Sequence, residues 1–106
     1  MKDKISVITT FFNSEKYILQ CIHSVNLQLT NDEFDIEYII VDDCSEDSSH
    51  EIIDTFFKEY GQRGSCEYKI IKTPQNLGCG GARNFGISNS TGNYIMFLDA
   101  DDYYNY

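Results

Sequence analysis

Basic residues are scarce in this chain, 8 Lys and Arg against 17 Asp and Glu, for a formal net charge of −9 at pH 7. That balance leaves no basic face for a phosphate backbone, so nucleic acid is not expected as a partner. An anionic ligand would need a metal ion or local amide donors to bind here. Long apolar runs are also missing. Nothing is long enough to span a membrane, and the start, MKDKISVITT, lacks the apolar core of a signal peptide. Paired cysteines are absent too. Cys21, Cys44, Cys66 and Cys79 contain no C-x-x-C, which argues against a zinc site and for reduced thiols in a cytoplasmic protein.

What is present is enough for a core. The chain is 106 residues long, 42% hydrophobic and 14% aromatic, the range of one packed domain or part of one. Four apolar stretches read as strands: ISVITT (5–10), EYIIVD (37–42), EYKIIK (67–72) and NYIMFLD (93–99). They are rich in Ile, Val, Tyr and Phe and end at polar or turn residues. The first, second and fourth are almost continuously apolar, the pattern of strands buried on both faces.

Helical stripes lie between them. Tyr17, Ile18, Cys21, Ile22 and Val25 recur with helical spacing, with Asn13 or Ser14 as cap, and Ile52, Ile53, Phe56, Phe57 and Tyr60 repeat it. Ser48 and Glu51 form a capping-box signature for the second helix, and Gly61 and Gly64 mark its end. A weaker third helix is expected from about Gly80 to Ser90. The order β-α-β-α-β-α-β predicts an open, parallel, Rossmann-like α/β sheet with helices on both faces. Such sheets bind ligands beyond the carboxyl ends of their strands.

The acids gather at those ends. Asp42 and Asp43 follow EYIIV, and Asp99, Asp101 and Asp102 follow YIMFL. Crowded carboxylates repel one another, and a divalent cation offsets the charge; oxygen ligands suit Mg²⁺ or Mn²⁺. A single Asp at a strand end more often caps a helix or makes a turn, and for Asp42-Asp43, with Ser45, Asp47 and Ser48 behind it, capping accounts for much. Three acids in four residues at 99–102 favour the metal. The stretch NLGCGGARNFG (76–86) opens a helix where amides can meet phosphate. It is neither a dinucleotide fingerprint nor a P-loop. Arg83 within it faces either a ligand or solvent. His23 and His50 read as solvated surface residues, and no Ser-His-Asp arrangement is present.

In order and approximate spacing, ISVITTFFN, EYIIVDDCSEDSS, NLGCGGARNFGI and GNYIMFLDADD resemble the family 2 glycosyltransferases, inverting enzymes of the GT-A fold. The resemblance covers essentially the whole chain and implies that it is the N-terminal half of a GT-A domain, residues 1–106 binding the nucleotide-sugar donor. It implies that Thr10 touches the nucleotide base, that Asp43 binds the uracil ring with Asp42 beside it, and that Arg83 lies on the nucleotide side. Asp99 matches the D-x-D acid near the ribose, and Asp101 the acid that holds Mn²⁺ or Mg²⁺ on the diphosphate; Asp102 assists through water. Two departures stand out: Thr10-Phe11-Phe12-Asn13 replaces the usual Pro-x-Tyr-Asn, and Cys44 replaces the common glycine of V-D-D-G-S. Cys44 and Cys79 would lie near the pocket.

The implied reaction is transfer of a sugar from a UDP-sugar to a saccharide or glycoconjugate hydroxyl with inversion. The metal neutralises the departing diphosphate, and a general base deprotonates the acceptor. That base is expected beyond Tyr106, in an acceptor-binding half, so this chain is expected to be a donor-binding fragment without turnover. Its full-length protein is expected at the inner face of the membrane, and an exposed apolar edge would favour homo-oligomers. The alternatives are a non-catalytic nucleotide- or metal-binding module and a phospho-acceptor receiver domain. The receiver would want its acid pair after the first strand and a late lysine; here Thr9-Thr10-Phe11 ends that strand and no Lys follows Lys72.

Overall fold

The computed structural model describes residues 3–13, 18–20, 34–60 and 66–97. Its elements are β1 (Asp3–Phe11), β2 (Phe34–Asp42), α1 (Ser49–Tyr60), β3 (Cys66–Lys72), α2 (Gly78–Ser88) and β4 (Tyr94–Phe97). Residues 18–20 are helical and belong to the first expected helix, the rest of which lies outside the described residues. The four strands form one parallel sheet in the order β3-β2-β1-β4. The chain steps outward from β1 through β2 to β3, then returns to the other side of β1. The sheet therefore has its topological switch point between β1 and β4, where open α/β sheets place their ligand.

Alternate residues on each strand face opposite layers. Val7, Phe11, Ile36, Tyr38 and Ile40 pack with Ile18 and with Ile53 and Phe56 of α1. Ile8, Ile39 and Val41 pack on the other side against Ala82, with Phe85 and Ile71 beside them. Both faces of β1 and β2 are thus covered, which is why their sequences read as continuous apolar runs. The second helix opens at Ser49, whose amide donates to the Asp47 carboxylate at 2.9 Å. Gly86 lets α2 lie close on the sheet: a Cβ there would stand 2.8 Å from Ile8 Cγ2.

β4 corrects one expectation. Its pattern promised burial on both faces, yet Tyr94, Ile95, Met96 and Phe97 are 56%, 39%, 47% and 40% exposed. It pairs only with β1, from Ile5↔Tyr94 to Ile8↔Phe97, and among the described residues no further strand pairs with its outer edge.

At the amino end of the sheet, Glu37 is buried to 3% exposure. Ser6 Oγ and the Thr91 amide donate to its Oε1 at 2.8 and 3.0 Å, and Thr91 Oγ1 donates to Oε2 at 3.1 Å. Burial alone pushes this carboxyl up. The Thr91 amide, the Ser6 and Thr91 hydroxyls and the Lys4 charge outweigh it and hold the group below its ordinary value of 4.5. The unfolded chain therefore takes up the proton more readily than the folded one. The resulting stabilisation is full above about pH 4.5 and is lost as pH falls through the lower folded value. Urea midpoints should fall below that pH in the wild type, and less steeply in Glu37→Gln.

Candidate functional site

The carboxyl edge is built from the ends of β1, β2 and β3 and the start of α2. The Asp43 amide donates to Phe11 O at 2.9 Å, and the Thr73 amide to Asp42 O at 2.9 Å, so the three strand ends are locked level. Asn13, just past β1, ties the next loop down: its Oδ1 accepts from the amides of Glu46 at 2.7 Å and Asp47 at 3.4 Å, and its own amide donates to Ser45 Oγ at 2.9 Å. Asn13 has φ 47°, a left-handed conformation that Asn tolerates better than most residues.

The neighbouring acids Asp42 and Asp43 face opposite layers. Asp42 is fully buried and turns toward α1. Its Oδ1 accepts from the Ser45 amide at 2.8 Å and its Oδ2 stands 3.2 Å from His50 Nδ1. Asp43 is 4% exposed and turns toward α2. Its Oδ1 accepts from Thr73 Oγ1 at 3.0 Å and from the Leu77 amide at 2.8 Å, while Asn76 Nδ2 donates to its carbonyl at 3.2 Å. Among the described residues no donor is shown at Asp43 Oδ2. The protein thus fixes this carboxylate through Oδ1.

Protein groups thus contact both carboxylates: the Ser45 amide and His50 at Asp42, Thr73 and the Leu77 amide at Asp43. His50 is 41% exposed at its side chain, as expected, and also approaches the buried Asp42 carboxylate. Cys44 sits between these features with φ 65° and a free thiol. That conformation costs a non-glycine residue about 1–2 kcal/mol, against the ~0.5–1 kcal/mol of chain entropy a glycine would add. Cys44→Gly should therefore raise stability by about 0.5–1 kcal/mol in urea denaturation, the net of those two terms.

Thr10, near the end of β1 and 2% exposed, is level with Val41 and lies on the same sheet face as Ile8, the α2 face to which Asp43 also turns. Arg83, on α2, has its guanidinium carbon 5.5 Å from the centroid of the Phe97 ring, a cation–π distance. The structure thus brings Thr10, Asp43 and Arg83 to the α2 side and sets Asp42 behind them. Asp99, Asp101 and Asp102 lie outside the described residues, as does His23. Among the described residues no group of three or more His, Cys, Asp and Glu could hold a metal, and no helix is long and apolar enough to cross a membrane. No local pattern pointed to the contacts of Thr73, Asn76 and Leu77 with Asp43, because these residues lie thirty or more positions away from it in the chain.

An open parallel sheet with a switch point beside β1 and buried acids at its carboxyl edge is an α/β ligand-binding fold. The sequence pattern of "Glycosyl transferase family 2" matches residues 6–106, and the chain belongs to that family. It is 37% identical over 102 residues to Glycosyltransferase GlyA of Streptococcus pneumoniae serotype 4, covering 95% of this chain and 13% of that protein. It is 34% identical over 104 residues to the poly(ribitol-phosphate) beta-N-acetylglucosaminyltransferase TarS of Staphylococcus aureus, covering 96% of this chain and 17% of that protein. The crystal structure of TarS 1-349 in complex with UDP-GlcNAc superposes with a TM-score of 0.73 at 31% identity, over 95% of this chain and 27% of that one. The mannosyltransferase PcManGT from Pyrobaculum calidifontis, in complex with GDP-Man and Mn²⁺, superposes with a TM-score of 0.78 at 17% identity, over 95% of this chain and 28% of that one, a likeness of fold. The fold is that of the N-terminal part of a GT-A glycosyltransferase, and the chain spans well under half the length of each of these three proteins.

Proposed function

We propose that residues 1–106 are the donor-binding part of an inverting glycosyltransferase that transfers a sugar from a UDP-sugar to a saccharide or glycoconjugate hydroxyl. The observation that carries this reading is Asp43, a buried carboxylate held on one oxygen by Thr73 and Leu77 at the carboxyl edge of the sheet. The other oxygen suits the uracil N–H, with Thr10 on the same face. Asp42 supports that loop from behind through Ser45 and His50. Arg83 lies on the nucleotide side. The name of TarS, a poly(ribitol-phosphate) beta-N-acetylglucosaminyltransferase, supports a role in polysaccharide or glycoconjugate synthesis, which would place the enzyme at the cytoplasmic face of the membrane.

Asp101 and Asp99 follow β4 by a few residues, and carboxylate oxygens suit a hard cation; they would hold Mn²⁺ or Mg²⁺. The ion supplies Lewis-acid neutralisation of the diphosphate. The acceptor's general base belongs to an acceptor-binding part outside residues 1–106.

Calorimetric titration of UDP into the chain tests this reading in three arms: with Mn²⁺, with EDTA, and with Asp101→Asn in Mn²⁺. Binding should require the metal and weaken at least about tenfold in the variant, as expected for loss of a charged ligand contact. Metal-independent binding removes the D-x-D role, and no binding in any arm overturns the donor-site reading for this chain.

A further inference from the structure

Strand register is ordinarily set by which face is buried, because a one-residue slip exchanges the two faces. Among the described residues β4 is four residues long, pairs with β1 and is at least 39% exposed at every position, so burial within this part of the fold does little to fix its register. The hydrogen bonds at its entry do more.

The Glu37 cluster stands where β4 begins. Glu37 lies level with Ser6, and Ser6 with Ile95. Ser6 Oγ donates to Glu37 Oε1 and accepts from the Gly92 amide at 2.9 Å. Thr91 gives Glu37 both its amide and its hydroxyl. Lys4 Nζ, 3.7 Å from Glu37 Oε2, also donates to Thr91 Oγ1 at 2.7 Å. The Lys4 amide donates to Asn93 Oδ1 at 3.1 Å, and the Asn93 amide donates to Lys4 O at 2.8 Å. Lys69 of β3 reaches the same carboxylate at 3.9 Å. One buried carboxylate thus joins β1, β2 and β3 to Thr91 and, through Ser6, to Gly92, with Asn93 held beside them by the Lys4 backbone.

We infer that Glu37 is a positioning residue for the donor site: by clasping Thr91 and, through Ser6, Gly92, it sets the register of β4 and so the point from which the chain carries Asp99 and Asp101 onward. This rests on the donor-site reading above. A slip of one residue would shift that departure point by about 3.3 Å and turn Phe97 away from Arg83. Glu37 touches no ligand; it acts from the end of the sheet opposite the acids.

The test compares Glu37→Gln with Ile53→Val, a core change on the α1 face, in the full chain. Amide hydrogen exchange is read strand by strand, and UDP is titrated in Mn²⁺. Glu37→Gln removes the charge and one of two acceptors. Protection of residues 94–97 should fall about tenfold or more beyond any loss in β2 and β3, the scale of a lost hydrogen bond to a charge. Metal-dependent UDP affinity should fall with it. Ile53→Val should lower protection evenly and leave affinity near wild type. Even loss across all strands in Glu37→Gln, or equal UDP affinity in the two variants, overturns the inference. If the wild type binds no UDP, the donor-site reading fails, and the exchange comparison alone still decides whether Glu37 holds β4. Should Glu37→Gln not fold, Thr91→Val, which removes one donor, carries the same comparison.

Discussion

Asp43→Asn should melt close to wild type and bind UDP roughly 10- to 100-fold more weakly, whereas Asp43→Ala should lose both binding and stability. The two variants separate two jobs held by one side chain. Asn keeps an acceptor for Thr73 Oγ1 and the Leu77 amide, now at 3.0 and 2.8 Å. It replaces the other oxygen with an NH₂, which would meet the uracil N–H donor to donor. A buried donor left without a partner costs about 1–3 kcal/mol, which is the quoted range in affinity. Ala removes the acceptor from two donors at a site only 4% exposed, so its loss of stability should reach about 2–5 kcal/mol, two charge-assisted bonds less partial relaxation. Thermal melts and calorimetry read the two effects side by side. If Asp43→Asn binds UDP as the wild type does, the second oxygen is not the base contact.

Gly92→Ala should be among the most damaging single-methyl changes in the chain. A Cβ at that position would stand 2.6 Å from Ser6 Oγ, 2.7 Å from Ser6 N and 2.9 Å from Lys4 O. Two of those atoms are backbone of β1, which pairs with strands on both sides and cannot withdraw without disturbing both ladders. The third, Ser6 Oγ, carries the hydrogen bonds to Glu37 and to Gly92 itself. Overpacking costs about 1–3 kcal/mol where side chains can yield; here the upper end or more is expected, a large share of the ~5–15 kcal/mol that holds a domain together. Urea denaturation should show a much lower midpoint. Asn93→Ala, which removes only one acceptor, exposed at the surface, is the matched control and should cost under about 1 kcal/mol. A Gly92→Ala midpoint equal to that of the control would mean that β4 enters the sheet differently.

Glu37 shows why part of this molecule escapes sequence reading. In EYIIVD it is one polar residue at the start of an apolar strand. Its partners Ser6 and Thr91 lie 31 and 54 positions away, and no local pattern predicts which distant hydroxyl meets which carboxylate. His50 keeps a 41% exposed side chain, in line with its polar-stripe position, and only the approach of α1 to the end of β2 brings its Nδ1 to Asp42.

What the sequence by itself determined is the order of the strands and described helices, and the placing of Asp42 and Asp43 at the end of β2. Those follow from local periodicity: apolar runs, helical stripes and turn residues record how each segment buries its own side chains. The likeness of four ordered motifs to a family followed from the same linear information. Tertiary structure alone decided that Asp42 faces α1 and supports a loop while Asp43 faces α2 with one oxygen held. It also decided that Glu37 joins three strands to the entry of β4. Each of those depends on contacts between segments far apart in the chain. A residue's hydropathy states whether it prefers burial; the packing of distant elements decides what, if anything, arrives to bury it.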